Sequence, residues 1–337
     1  YINSAVMPLA ENVNYEPITI SESSLNGNAI WGATESYYGV KMDDSAHFYL
    51  ASRTNDGGLP VNGRITMDVS KVPYQLASGE DPAKAYDGND CIRLTTDNKS
   101  QTMYLETIGV YQNIYVFATA GGPGPTSYAD FSVTLNYTEG KPQEVEYKLY
   151  DWYSKVSESN VEKYRNVKRR DNRYNDIDTN LSEDGPVIQS AAISADPTRL
   201  LKSITFNMKG KDGGTNTNGL YCCIFAVTGA TPAGVPGKPT ATQATKDVAD
   251  NTGAFTAHWN SVEGATGYRL DVARDRQFKD MVAGYNNENV GMTTECKVSG
   301  NDINKDTVYY YRVRAYNDKG QSLSSNRVAT DLPKWIK

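Results

Sequence analysis

At 337 residues the chain exceeds one ordinary β-sandwich, so two domains are expected. A net charge of −6 without a clustered basic face argues against nucleic acid as a partner, and no run of about 18 apolar residues is present to span a membrane. The 24 Tyr against 7 Phe suit half-buried strands, and they also suit wet surfaces where a ring stacks and a hydroxyl bonds.

Residues 1 to 14 read as a loose lead-in, and Ile18-Thr19-Ile20 starts a short strand. Ser21 to Gly39 is rich in Ser, Asn and Gly and carries Trp31, Tyr37 and Tyr38. Such an aromatic cluster in a polar loop is either a sugar-stacking platform or a lid over one end of a sandwich. Met42 to Gly58 holds Asp43, Asp44, Asn55 and Asp56; oxygen-rich loops can bind calcium, but no regular ligand spacing is visible. Arg64 to Val69 alternates as a strand, Tyr86 to Asp90 is a turn, and strands follow at Cys91 to Leu94 and Gln101 to Thr107.

The stretch from Tyr104 to Trp152 organises the chain. Asn113 to Ala120 is apolar on both alternations, the pattern of a central strand covered on both faces. Gly121 to Ser127 breaks the run, because Gly and Pro do not continue a ladder cheaply. Phe131 to Tyr137 alternates strictly, Thr138 to Pro142 turns, and Val145, Tyr147 and Leu149 alternate up to Asp151-Trp152-Tyr153. Trp152, at that strand end, is either a stacking ring or a core plug.

Val156 to Asp178 is charged and lacks a clean apolar stripe, so it reads as a loop: a solvated insertion, or a rim around a site that would include Arg173, Tyr174 and Asn175. Strands resume at Pro186 to Ile193, Leu201 to Met208 and Leu220 to Val227, the last a second central strand. Its Cys222 and Cys223 point to opposite faces and are expected as buried free thiols, a strained bond between them being the alternative. With Cys91 and Cys296 they form no CxxC pair, so neither a zinc site nor a disulfide scaffold is expected. Gly229 to Pro239, with three Gly and three Pro, reads as an extended linker.

Beyond it, Phe255, Ala257 and Trp259 alternate, and Thr307 to Ala315 forms another strand. Residues 236 to 333 resemble a fibronectin type III domain: Trp259 stands at that family's buried strand-B tryptophan, and Tyr309 at the tyrosine that ties the E–F corner back to the backbone. The resemblance implies seven strands, no catalysis, and a spacer or adhesive role. The Tyr86-Asp87-Gly88-Asn89-Asp90 turn, the Ile114 to Ala120 strand, the Asn136 to Gly140 turn and the Asp151-Trp152-Tyr153 end are similar to the galactose-binding-like jelly-roll domains found beside glycoside hydrolases in polysaccharide-degrading bacteria. That likeness implies carbohydrate binding without chemistry on a secreted or surface-anchored protein. Asp44-Ser45-Ala46 resembles an O-glycosylation site used by some gut bacteria.

A glycosidase needs two carboxylates flanking the scissile bond, and the 40 Asp and Glu offer no pair marked by context. His258, next to Trp259, is expected to face outward, and His47 has no visible partner. No enzyme activity is therefore expected. Sugar binding asks for rings that stack and polar groups around them, and the candidates are Trp31, Tyr37, Tyr38, Trp152, Tyr153, Arg173, Tyr174 and Asn175.

The expected protein is all-β: a jelly-roll β-sandwich over residues 1–230, then an immunoglobulin-like, fibronectin type III sandwich over 231–337. Its expected role is non-catalytic carbohydrate binding or adhesion at a bacterial cell surface. A polysaccharide or glycoprotein glycan is the partner, no cofactor is needed, and a structural calcium stays open. The alternatives are a protein-interaction module without glycan affinity, or an accessory fragment of a glycoside hydrolase. Secretion is inferred from fold type, with the leader absent from this chain.

Overall fold

The computed structural model describes residues 12–43, 47–51, 58–156, 161–171, 176–178, 185–247 and 249–330. Among them the chain is all-β, with three single-turn 3₁₀ helices at Glu22–Ser24, Tyr37–Gly39 and Pro82–Lys84. No helix of the described residues is long and apolar enough to cross a membrane. The chain divides into two compact units, one of residues up to Leu105 with Tyr111–Pro197 and Ser203–Thr231, the other of Glu106–Val110, Thr198–Lys202 and the chain from Pro232.

The strands that lie wholly or mostly in the first unit are β1 (Val13–Ile18), β2 (Ile30–Trp31), β3 (His47–Leu50), β4 (Arg64–Thr66), β5 (Pro73–Gln75), β6 (Ile92–Leu94), β7 (Ser100–Gly109) and β8 (Asn113–Gly121). They continue as β9 (Tyr128–Tyr137), β10 (Gln143–Tyr150), β11 (Val161–Tyr164), β12 (Arg169–Asp171), β13 (Asp176–Asp178), β14 (Ile188–Ser194), β15 (Leu201–Lys211) and β16 (Tyr221–Pro232). One large sheet runs β1-β16-β8-β14-β11, with β6 also on β16, and a second runs β10-β9-β15-β7.

The two alternations of β8 decide the layering. Tyr115 and Phe117 join a cluster with Tyr49, Ile65, Met67, Tyr74, Leu76 and Tyr86, so this face is covered by the small sheet β13-β12-β3-β2 and the β4–β5 hairpin. The four-stranded sheet turns its apolar alternation, including Phe131, Val133, Ile204 and Phe206, inward, with Phe131 stacked on Phe206 at 6.3 Å. Cys222 and Cys223 are both buried free thiols. They divide between the two faces as the alternation requires, Cys223 lying in the cluster with Tyr49 and Phe117 and Cys222 outside it.

Four expectations need correction. The lead-in already contains β1 from Val13. Met42 to Gly58 is not all loop, because His47–Leu50 is a strand with Phe48 and Tyr49 fully buried. The charged stretch after Val156 holds β11, β12 and β13; β11 is an edge strand and needs no continuous apolar stripe. The second central strand runs on to Pro232, so the first residues of the expected linker pair with β8, Ala230 opposite Asn113.

The second unit holds β17 (Ala241–Thr245), β18 (Phe255–Trp259), β19 (Gly267–Ala273), β20 (Glu288–Gly291), β21 (Glu295–Val298), β22 (Tyr310–Asn317), β23 (Gly320–Gln321) and β24 (Val328–Ala329). They form the sheets β17-β18-β21 and β20-β19-β22-β23, with β24 also on β22. Three strands against five make one more than the seven the fibronectin type III resemblance implied, because two short pieces, β23 and β24, both pair with β22. Trp259 is buried against Tyr268, ring centroids 5.7 Å apart. The Tyr309 hydroxyl donates to the Asp302 carbonyl (3.0 Å) and accepts from the Asn304 N–H (2.9 Å), which closes the corner. Tyr309→Phe keeps the ring on Phe255 but removes the partner of the Asn304 N–H and the Asp302 C=O. A loss of about 1–3 kcal/mol is expected, read as a shift of one transition in calorimetry of the full chain.

Candidate functional site

Two places in the first unit gather the candidate residues. The first is centred on Trp152. The backbone after β10 crosses to the end of β8, where the Trp152 N–H donates to the Ala120 carbonyl at 2.7 Å. Gly121 makes room there: a Cβ at Gly121 would lie 3.1 Å from that of Asp43 and 3.8 Å from the Trp152 ring. His47 Nδ1 meets Asp43 Oδ2 at 2.8 Å, and the His47 ring lies 4.8 Å from that of Trp152. The Arg169 guanidinium sits over Trp152 at 4.3 Å, and Tyr153 contacts it edge-on at 5.2 Å.

The expectation that His47 has no partner is thereby corrected. Asp43 lies four residues earlier, and the His47 N–H also donates to Asp43 Oδ1 at 3.1 Å. Asp151 completes the cluster. Its carboxylate accepts the N–H of Tyr153 (3.0 Å) and of Gly124 (3.2 Å). Burial raises its pKa, with Asp43 adding to the rise, while those N–H bonds and His47 work against it.

Two carboxyl groups in unlike environments beside an imidazole are the raw material of acid–base chemistry. Here the material is closed off. Asp43, Asp151 and Trp152 are only 5 %, 4 % and 7 % exposed. The Trp152 ring already carries His47, Arg169 and Tyr153, so it serves as the core plug and has no bare face for a sugar.

The second place is the loop from Asn28 to Gly39. One carboxylate pins it: Glu35 accepts from Gly32 N–H (2.8 Å), Asn28 Nδ2 (2.7 Å) and Gly88 N–H (3.2 Å). Asp87 holds the same loop through the N–H (2.9 Å) and the hydroxyl of Thr34. Trp31 is half-buried, edge-on to Phe48 at 6.2 Å, with its indole N–H on the Glu35 carbonyl at 3.0 Å. Tyr37 opens the short helix that ends the loop, and Tyr38 within it is 82 % exposed.

Strand register separates the two places. Trp31 pairs with Leu50, while Arg169 pairs with Tyr49 and Asp171 with His47. Side chains alternate along β3, so Trp31 shares the Phe48 face and Trp152 the His47 face. The two tryptophans therefore do not form one platform. Arg173, Tyr174 and Asn175 lie outside the described residues, as do Asp44 to Ala46 and Asn55 and Asp56 of the oxygen-rich stretch. Among the described residues no three His, Cys, Asp or Glu side chains gather as metal ligands would. Sequence reasoning missed Glu35, Asp87, Asp43, His47 and Arg169 as organisers. For Asp43 and His47 the four-residue spacing before an alternating strand was the available signal; for Glu35 there was none.

No family model matches the chain, and no curated protein matches it. Among solved structures it is similar to an Fn3-like protein from Clostridium thermocellum, with 22% identity over 30% of this chain and 93% of that one, at a TM-score of 0.23. It is also similar to the FN1–FN3 domains of chicken CNTN1, with 12% identity over 69% of this chain and 59% of that one, at a TM-score of 0.22. A β-1,2-glucanase from Parabacteroides distasonis aligns at 10% identity over 75% of this chain and 33% of the enzyme, at a TM-score of 0.24. The strand order and the Tyr309 corner, rather than these likenesses, carry the assignment of a three-on-five sandwich to the second unit.

Proposed function

We propose that the first unit holds a glycan at the loop Asn28–Gly39 and performs no chemistry, on a secreted or surface-exposed protein in which the second unit acts as a fibronectin type III spacer. The antiparallel pairings within the first unit's two large sheets support a jelly-roll reading of that unit. The observation that carries the functional reading is Tyr38. Its ring is 82 % exposed, the highest of the large hydrophobic side chains among the described residues. This one stands on a loop fixed by two carboxylates rather than on a free tail. An accessible aromatic ring carried on an ordered loop suits stacking on a pyranose, because little backbone entropy is lost on binding.

Screening the full chain on a glycan array, with and without calcium, tests the reading. Tyr38→Ala is expected to weaken the bound glycan about tenfold, the worth of roughly 1.4 kcal/mol, with an unchanged melting curve. A folded chain that retains no glycan at millimolar concentration sinks the proposal and moves the weight to a protein partner.

A further inference from the structure

The bonds that hold the loop Asn28–Gly39 divide it into a root and a tip. At the root, the fully buried Asp90 carboxylate accepts the N–H of Ala29 (3.0 Å) and of Ile30 (2.7 Å). The Tyr49 N–H donates to the Ala29 carbonyl there at 2.9 Å, which joins the root to β3. The tip, Gly32 to Glu35, is held chiefly by two other carboxylates. Glu35 accepts the Gly32 N–H at 2.8 Å and ties the turn to Asn28 and Gly88. Asp87, 53 residues along the chain, accepts both the N–H of Thr34 (2.9 Å) and its hydroxyl. Only the Ala33 N–H among these finds a backbone carbonyl, that of Ala85 at 3.0 Å. The Trp31 indole N–H in turn leans on the Glu35 carbonyl, and Tyr38 follows three residues beyond Glu35.

We propose that the tip is an acid-released clasp: as pH falls through the carboxylate range, Gly32 to Glu35 comes free of Glu35 and Asp87 while the root and β8 stay folded, and a ligand gripped at Tyr38 is let go. The last clause rests on the Tyr38 reading; the clasp itself does not. An ionised carboxylate makes charge-assisted bonds to N–H groups, whereas the protonated form accepts more weakly and brings an O–H that needs an acceptor of its own. Lys84 faces Asp87, Asp90 faces Glu35, and Tyr86 and Cys91 face Asp90. Slight desolvation works to raise the Asp87 pKa, but the bonds from Thr34 and Glu35, with Lys84 beside them, hold it below its ordinary value. Its folded value lies under the unfolded one, so this pin is complete above the unfolded pKa of about 3.9 and is lost as pH falls toward the folded value. Asp90 responds the other way. Burial raises its pKa against the bonds from Ala29 and Ile30, and Glu35 adds to the rise. Taking up a proton there relieves the burden of a buried charge, so the root holds while the tip loosens.

Amide NMR of the full chain, from about pH 7 down to about pH 3, tests the clasp with no ligand present. The Gly32 and Thr34 amide signals are expected to move as their carboxylates titrate. Their protection against exchange is expected to fall about tenfold or more relative to Ile30 and to the amides of β8. Asp87→Asn and Glu35→Gln put a neutral acceptor in the clasp. At neutral pH they are expected to show, at Thr34 and Gly32 respectively, the loss that the wild type shows in acid. Tip amides that keep their protection in acid overturn the inference. So does a loss shared by β8, which is acid unfolding of the whole unit, and so do variants that keep the wild-type pH profile. Glycan retention over the same pH range separates the clasp from the ligand reading. Retention that fades in acid and in both variants supports both. A clasp that opens in a chain retaining no glycan at any pH stands, while the Tyr38 reading fails. Retention unchanged as the clasp opens overturns the release.

Discussion

Asp271→Ala is expected to cost the second unit about 3–5 kcal/mol, the largest loss foreseen for a single polar side chain in this molecule. Asp271 on β19 faces Arg312 and Arg314 on β22, and all three are buried. Its Oδ2 accepts Arg312 Nε at 2.9 Å and Arg314 Nη1 at 2.7 Å; its Oδ1 accepts Arg314 Nη2 at 3.0 Å and the Asn287 N–H at 2.7 Å. Phe278 closes over the Arg312 guanidinium at 4.0 Å. Removing the carboxylate leaves two cations without their anion in a site water does not reach. Chemical denaturation of the full chain, followed at the second unit's transition, measures the loss.

The same cluster sets a pH dependence. Burial works to raise the Asp271 pKa, but the two guanidiniums beside it win and hold it well below the usual carboxylate range. The folded value lies under the unfolded one, so the stabilisation is complete above the unfolded pKa of about 3.9 and disappears as pH falls toward the folded value. Melting temperatures of the wild type are expected to drop through that window, and those of Asp271→Asn to drop less. Burial meanwhile lowers Arg312 to about 10 despite Asp271, a sign that desolvating the cluster is expensive. Replacing all three residues with apolar side chains of similar volume is therefore expected to cost less than Asp271→Ala alone. A triple variant weaker than the single one would show instead that the ion cluster adds net stability.

What the sequence revealed follows from periodicity. Strands whose two faces differ announce themselves, and Phe131 to Tyr137, with Phe131, Val133 and Leu135 buried, stands almost as its alternation requires. So does the corner at Tyr309, because the residue that closes it lies in the strand it anchors. Edge strands were not legible. Val161–Tyr164 is half-buried on every residue, so its pattern shows neither alternation nor an apolar run. The organisers of the candidate sites were hidden for a different reason. Glu35 earns its role from Gly88, 53 residues away, and Asp43 from its approach to Gly121 at the end of another strand.

Phe117→Ala is expected to destabilise the first unit by about 3–5 kcal/mol and to do so unevenly across its layers. Phe117 is fully buried at the middle of β8, stacked on Tyr74 at 4.7 Å and edge-on to Tyr164 at 5.8 Å. Tyr74 belongs to the β4–β5 hairpin, and Tyr164 to the edge strand β11. The ring therefore fastens two elements of the cover to the large sheet and makes no part of the opposite face, where Ile114, Val116 and Ala118 lie. Among the described residues the hairpin pairs with no further strand, and it depends on that face for its stability, since an isolated two-stranded ribbon is marginal in water. Hydrogen exchange should then quicken first at Ile65 to Tyr74, while β9 and β15 keep their protection. Val116→Ala, on the other face, is the matched control and should loosen the four-stranded sheet instead. Equal acceleration in both layers from either variant would mean that the first unit opens as one cooperative block, with β8 as a shared core rather than a boundary between two.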